Sequence, residues 1–184
     1  MDEVANEFAT LKLGDRRLEE RARKSVTSLA AMPAVGAPRA LSDAELEGYY
    51  RLINNDRVSF PALLRAHVDA TIARTAGLER VVIAHDTTDF RFSDETPRTG
   101  LGPMDNGGQG FYAHFSLAIA EQRRPLGVVR VEPWTRKTRV PAKKTQKERY
   151  DNPTKEPLRW LRAVQGTSEL FAPGVHVIHV MDRE

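Results

Sequence analysis

Apolar positions in the first 76 residues recur every three or four places. Leu11, Leu13, Leu18, Ala22, Val26 and Leu29 follow that spacing and predict a helix that finishes before Pro33. Ser42 followed by Glu45 is a capping-box pair, which predicts a second helix with Leu46, Tyr49, Tyr50 and Ile53 on its apolar face. A third helix is expected from Ser59, with Pro61 in its first turn, Leu64, Val68, Thr71 and Ile72 along one side, and Gly77 as its stop. Residues 1–77 therefore read as a small all-helical domain.

From Val81 the period shortens to that of strands. Residues 81–86 and 88–92 read as two strands, and Phe111, Ala113, Phe115, Leu117 and Ile119 alternate as one side of a half-buried third. The pattern resumes from Leu126 to Val131 after Arg123-Arg124-Pro125, which predicts a hairpin turn. Residues 136–156 have little apolar content and two Pro, and read as a long loop of the kind that is either functional or disordered. Pro157 is expected to open a helix carrying Leu158, Leu161, Val164 and Leu170, with a final strand over Val175 to Met181. The glycines between Gly100 and Gly110 lack both the Lys and the following helix of a phosphate-binding loop, so they read as a flexible turn.

Composition adds limits. With 40% apolar and 29% charged residues of mixed sign, the chain of 184 residues should be globular. It has no apolar run of membrane-spanning length, and its Met-Asp-Glu start lacks the basic-then-apolar pattern of a leader. Neither a membrane span nor a secretory signal is expected, and the default location is cytoplasmic. The absence of Cys excludes disulfides and thiolate metal sites, leaving carboxylates and five His as metal ligands. Net charge is +3, yet residues 123–162 hold thirteen Lys or Arg against four Asp or Glu, a local +9 that leaves −6 on the remainder. Such a segment attracts a polyanion, although a charge run alone reads as a solvated loop. Trp134 and Trp160 at its margins favour nucleic acid, because aromatic rings beside cations stack on bases.

Two apolar strands run into acid. Val81 to Ala84 leads through His85 to Asp86, and Val175 to Met181 leads to Asp182. A carboxylate at a rigid strand end suits Mg²⁺ or Mn²⁺. Taken alone, Asp86 equally reads as a turn cap with Thr87 and Thr88, and Asp182 as an ordinary acid. His85, His176 and His179 read as packed or surface His rather than ligands, with His176 and His179 on opposite sides of their strand.

An ordered set of short segments resembles a known family. It comprises Leu13-Gly14-Asp15-Arg16-Arg17, Tyr49-Tyr50-Arg51-Leu52-Ile53-Asn54-Asn55 with Val58, Asp86-Thr87-Thr88, Leu101-Gly102, His114, Leu126-Gly127, Trp134-Thr135-Arg136 and Asp182-Arg183-Glu184. In order and approximate spacing the set is similar to cut-and-paste DDE transposases of the IS-four group, Tn-five type, from about Phe8 onward. The resemblance implies an α+β chain: an all-helical DNA-binding domain over 1–77, then over 78–184 the first half of an RNase H-like core, β-β-β-α-β. Asp86 and Asp182 match the first two catalytic, metal-binding carboxylates, which hold Mg²⁺ (or Mn²⁺) in the complete enzyme. The third, a Glu within a Tyr, Arg, Glu, Lys pattern, has no counterpart, so strand cleavage and transfer are not expected from these residues alone. The implied partner is double-stranded DNA at transposon ends, with homodimer pairing on DNA in the full-length protein and a nucleoid-associated location. Arg16, Arg17, Arg21, Lys24, Tyr50, Arg51 and Asn54 are the expected DNA contacts, joined by Arg136, Lys143 and Lys144 of the basic segment. Read without the family, the helix from Arg16 to Lys24 is a solvated face of paired charges. The competing functions are a non-catalytic truncated DNA-binding protein or transposition repressor, and a metal-dependent nuclease unrelated to transposition.

Overall fold

A computed structural model of the chain describes residues 2–93, 95–105, 107–137 and 157–182. It has two compact units, Met1–Arg74 and Thr75–Glu184, and its secondary structure is mixed helix and sheet.

In the first unit five helices follow one another: α1 (Asp2–Glu7), α2 (Arg16–Ala31), α3 (Ala37–Ala40), α4 (Asp43–Ile53) and α5 (Phe60–Ala73). The single helix expected through Leu11 and Leu13 is corrected, since both residues lie in the connection between α1 and α2. Gly14 takes a φ of +72°, a left-handed conformation that ends regular helix. Asp15 then caps α2, accepting the Arg17 backbone N–H at 2.9 Å. The connection is not surface loop. Leu11 and Leu13 pack with Leu18, Ala22, Leu52 and Ala66 to form the core of the unit. Arg23 serves its carbonyls, donating to Phe8 O at 3.0 Å and to Leu11 O at 3.4 Å. Glu7, at the end of α1, accepts two bonds from Arg74 at 2.6 and 2.8 Å and lies 2.5 Å from His67 Nδ1, which ties α1 to α5 and its C-cap. The Arg74 bonds hold the Glu7 carboxyl below its ordinary range, against the opposing effect of burial.

Ser42 and Glu45 form the expected capping box at the start of α4: the Glu45 carboxylate accepts the Ser42 N–H at 3.1 Å and the Ser42 hydroxyl at 2.8 Å. These bonds pull Glu45 down to about 2. The apolar face of α4 differs from expectation. Leu52 is its buried residue at 4% exposure, whereas Tyr50 and Ile53 are 44% and 46% exposed. Neighbouring positions on a helix differ by about 100°, so a short apolar cluster leaves the docked stripe open until a partner helix selects it.

The second unit is a five-stranded sheet: β1 (Arg80–Phe92), β2 (Gly102–Pro103), β3 (Gln109–Ile119), β4 (Pro125–Trp134) and β5 (His176–Met181), with α6 (Pro157–Ser168) before the last strand. β1 is one continuous strand where two were expected. It pairs antiparallel with β3, from Val82 opposite Ile119 to Phe92 opposite Gln109. On its other edge it pairs parallel with β5, from Arg80 opposite His176 to His85 opposite Met181. β2 and β4 share the outer edge of β3. The β3–β4 turn centres on Gln122 and Arg123, whose φ values of 60° and 61° are those of a primed hairpin turn. Two of the glycines expected in a flexible turn lie in strands instead, Gly102 in β2 and Gly110 in β3: a Cβ on Gly102 would strike the Arg136 carbonyl, and one on Gly110 the Phe90 carbonyl. They admit close backbone approach.

The alternation expected in β3 is present, but the more deeply buried set is largely the other one. Tyr112, His114, Ser116 and Ala118 are buried, while Phe111, Phe115, Leu117 and Ile119 are half-buried; Ala113 alone is buried among the expected set. Helix α6 covers the His114 and Ser116 side, with the Trp160 ring edge-on to His114 at 4.6 Å between centroids and with Ala163 and Thr167 fully buried. Leu158 and Leu161, expected in the packed stripe of α6, are 36% and 53% exposed.

The core of the first unit makes a direct prediction. Leu52→Ala should destabilise it by about 2 to 5 kcal/mol, whereas Ile53→Ala, one residue on, should change stability by less than about 0.5 kcal/mol. Denaturant unfolding of both variants checks this, and equal effects would contradict the assignment of the packed stripe.

Candidate functional site

The expected DNA contacts of the helical unit fall into three settings. Arg17, Arg21 and Lys24 project from one side of α2 into a cleft of about 390 Å³ against α4, lined also by Glu20, Ser25, Ala44, Glu45 and Gly48. Both acids in this lining have other cations or donors nearby. Glu20 accepts from Arg16 at 2.8 Å, and Glu45 accepts from Ser42 and from Ser28, the latter at 3.1 Å, with Lys24 at 3.6 Å. Gly48 forms part of the floor: a Cβ there would meet Arg21 Cδ and Nε at 3.8 Å, an ordinary contact, so Ala would fit and a large side chain would fill the space. Arg51 lies on α4 in an exposed ion pair with Glu47 at 2.5 Å, beside exposed Tyr50, whose ring centroid is 5.8 Å from that of Tyr49. Asn54 is the C-cap of α4 and donates its backbone N–H to Tyr50 O at 3.1 Å. Exposed pairs such as Arg51 with Glu47 contribute at most about 1 kcal/mol and do not prevent either partner from engaging a ligand.

In the sheet unit Arg136 is engaged within the protein. Its side chain is 13% exposed, it pairs with Asp105, and its guanidinium lies 4.4 Å from the Tyr112 ring centroid. The stack continues from Tyr112 to Trp134 at 5.4 Å and from Trp134 to Arg159 at 4.2 Å. Glu132 anchors its far side by accepting from Arg130 at 3.1 Å, from Arg162 at 3.4 Å and from Arg159. Burial acts to raise the Glu132 carboxyl, but the Arg130 bond and the surrounding guanidinium charges outweigh it and hold the group low. Trp134 is thus sandwiched between protein groups. Lys143 and Lys144 lie outside the described residues.

Asp86 and Asp182 each stand one step past the last pair between β1 and β5, His85 opposite Met181. Side chains alternate along a strand, and parallel partners share a face. His85 and His179 point toward α6, so the same alternation carries Asp86 and Asp182 to the opposite side of the sheet. Both are exposed, and Asp86 Oδ1 accepts the Thr87 N–H at 2.8 Å. Among the described residues, no group of three or more His, Asp or Glu is arranged to hold a metal ion.

On the α6 side the strands carry a polar layer that the sequence reading did not assemble. Ser116 Oγ lies 3.0 Å from His85 Nδ1, His85 Nε2 lies 2.9 Å from His179 Nδ1, and His179 Nε2 lies 2.9 Å from Ser168 Oγ. His114 Nδ1 meets Thr87 Oγ1 at 2.9 Å. Burial first, then the neighbouring His179 and His114 rings, push His85 down to about 4; burial also lowers His114 and His179. The sequence signal for this layer was a His followed two places on by a hydroxyl residue, His114 and Ser116 in β3 and His85 and Thr87 in β1.

Residues 1–58 match the family model for transposase DNA-binding. The match covers α1 to α4 and the cleft between α2 and α4, and it supports a transposase N-terminal domain that binds DNA. Among the described residues, no helix is long and apolar enough to cross a membrane.

The His layer sets a pH dependence. The folded value of His85 lies below its ordinary 6.5, so the unfolded chain takes up the proton first. Stability from the neutral ring is complete above pH 6.5 and should decline as pH falls toward about 4. Denaturant unfolding from pH 7 to pH 4.5 should show this loss, and a flat profile across that range would contradict it.

Proposed function

We propose that this chain is the N-terminal part of a DNA transposase that grips transposon-end DNA with its helical unit and carries the first two carboxylates of a DDE phosphoryl-transfer site on its sheet unit. The observation that carries the DNA-binding half is the match over residues 1–58 combined with a cationic cleft lying within it. In this reading Arg17, Arg21 and Lys24 take backbone phosphate, and the cleft fixes the position of the duplex. Tyr50, Arg51 and Asn54, on the last turn of α4 and its cap, read the end sequence.

For the catalytic half, support comes from strand order. Three antiparallel neighbours, β4, β3 and β1, are followed across α6 by β5, which pairs parallel to β1, and this order supports the reading of a first half of an RNase H-like core. Two exposed carboxylates, Asp86 within β1 and Asp182 just past the end of the adjacent β5, are hard oxygen donors of the kind Mg²⁺ accepts while retaining several waters. Asp86 and Asp182 would hold that cation, and when bound it would supply charge stabilisation at the attacked phosphate and an activated water or hydroxyl. The chain's own part is to hold Asp86 on β1 and Asp182 directly after β5, on one face. Pairing as a homodimer on DNA belongs to the same proposal for the full-length protein.

A second reading, a non-catalytic DNA-binding protein that occupies transposon ends and represses transposition, draws on the absence of a three-ligand group among the described residues. The two readings separate on Mg²⁺-dependent nicking by the full-length reading frame.

Mobility shift on transposon-end and unrelated duplexes tests the DNA-binding half. Affinity should fall by at least about tenfold between 50 and 200 mM salt. Arg21→Ala should weaken binding to both duplexes alike and reduce the salt slope by about 1, whereas Arg51→Ala should cost about 1 to 3 kcal/mol on the end sequence alone. Absence of binding at low salt would sink the proposal.

A further inference from the structure

The polar layer under α6 has a direction. Ser168 Oγ donates its one proton to Val164 O at 2.8 Å, so toward His179 it can only accept. His179 Nε2, 2.9 Å away, must therefore carry a proton, and a neutral His179 then has a bare Nδ1. That bare nitrogen faces His85 Nε2 at 2.9 Å, so His85 in turn is protonated on Nε2 and bare on Nδ1. The bare His85 Nδ1 accepts from Ser116 Oγ at 3.0 Å. One hydroxyl on the last turn of α6 thus settles the tautomer of two rings and the orientation of a second hydroxyl, across β5, β1 and β3. No link can reverse unless Ser168 gives up the Val164 carbonyl.

This chain is placed where it matters for strand register. His85 immediately precedes Asp86, and His179 lies three residues before Asp182. We propose that Ser168 and His179 are positioning residues: their one-way hydrogen-bond chain holds β5 in register on β1 and so keeps Asp182 beside Asp86. The choice of Asp86 and Asp182 as the groups being positioned rests on the function proposed above. The clamp itself rests on geometry alone. A slip of β5 by one residue would turn His179 away from α6 and leave His85 Nε2–H buried without an acceptor, a penalty of the size that fixes register.

Ring ¹H–¹⁵N correlation on the ¹⁵N-labelled 184-residue chain at pH 7 reads the tautomers directly. Both His85 and His179 are expected with the proton on Nε2. Ser168 is exposed and Ala is the better helix former, so Ser168→Ala should fold. It should let His179 populate the Nδ1–H form and should raise amide exchange at His179 to Met181 by about tenfold, the effect of about one net hydrogen bond. Ser168→Thr should restore both readouts. A proton on Nδ1 of either wild-type ring, or a Ser168→Ala variant with unchanged tautomers and exchange, would overturn the clamp. Mn²⁺-induced broadening at Asp86 and Asp182 in the same wild-type sample reads the ligand pair separately. If broadening is absent while tautomers and exchange behave as expected, the metal reading fails and the clamp stands.

Discussion

β1 and β5 run parallel, so the chain cannot pass from one to the other by a hairpin; it must cross over the sheet, and α6 belongs to that crossing. Much of the sheet unit depends on this pairing. It gives β1 partners on both edges, and Val81 and Ile83 are completely buried whereas Val82 and Ala84, on the opposite face, are half-buried. It places α6 on one face, and it sets a register in which every residue of β5 shares a face with its partner in β1. The same register sets Asp86, inside β1 where the expected strand end is not found, level with Asp182 just past the end of β5.

The face that α6 covers is an unusual core layer. Where aliphatic side chains would be expected, it carries His85, His114, Ser116 and Thr87, with His179 and Ser168 completing the bonds. Buried polar groups are tolerable when satisfied, and they then constrain geometry more sharply than apolar contacts because distance and donor direction both matter. Among the described residues His114 Nε2, set against the Trp160 ring, is buried without a hydrogen-bond partner, as are Arg130 Nε, Trp134 Nε1 and Arg159 Nε. The opposite face, with Phe115, Leu117, Ile178 and Val180, is more apolar and more exposed, Val180 reaching 51%. Polarity and burial are therefore partly inverted across this sheet.

The helical unit achieves its charge pattern by local bonding. Net charge hardly distinguishes its surface, since acids and bases interleave along α2 and α4. What differs is how the acids are engaged: Glu45 is occupied by the cap of α4, Glu7 by Arg74 and His67, and Glu20 and Glu47 by neighbours one helical turn away. Arg23 is likewise withdrawn to serve the α1–α2 connection, which leaves Arg17, Arg21 and Lys24 to define the cleft. An anion approaching the cleft meets three cations against two carboxylates, Glu20 and Glu45, the latter 3.6 Å from Lys24.

Local signals in the sequence determined what local physics controls. The Ser42 and Glu45 cap, the stop before Pro33, the Ser59 and Pro61 helix start, the hairpin near Arg123 and the parity that separates His176 from His179 all depend on residues a few positions apart, and each is present. The fragments of family resemblance did as much for the DNA-binding unit, through residues on α2 and α4. What only the tertiary structure decided is which side of each element is packed. Leu52 rather than Ile53, Ala163 and Thr167 rather than Leu161, and His114 with Ser116 rather than Phe115 with Leu117 became the buried sets. Periodicity identifies that an element has two faces, but the choice between them is made by whichever partner arrives. Here the partners were α2 and α6, brought there by contacts distant in sequence. The hydrogen-bond chain from Ser116 to Ser168 was illegible for the same reason. Its members are ordinary residues on four separate elements, and only the sheet register and the seat of α6 bring their polar atoms within bonding distance.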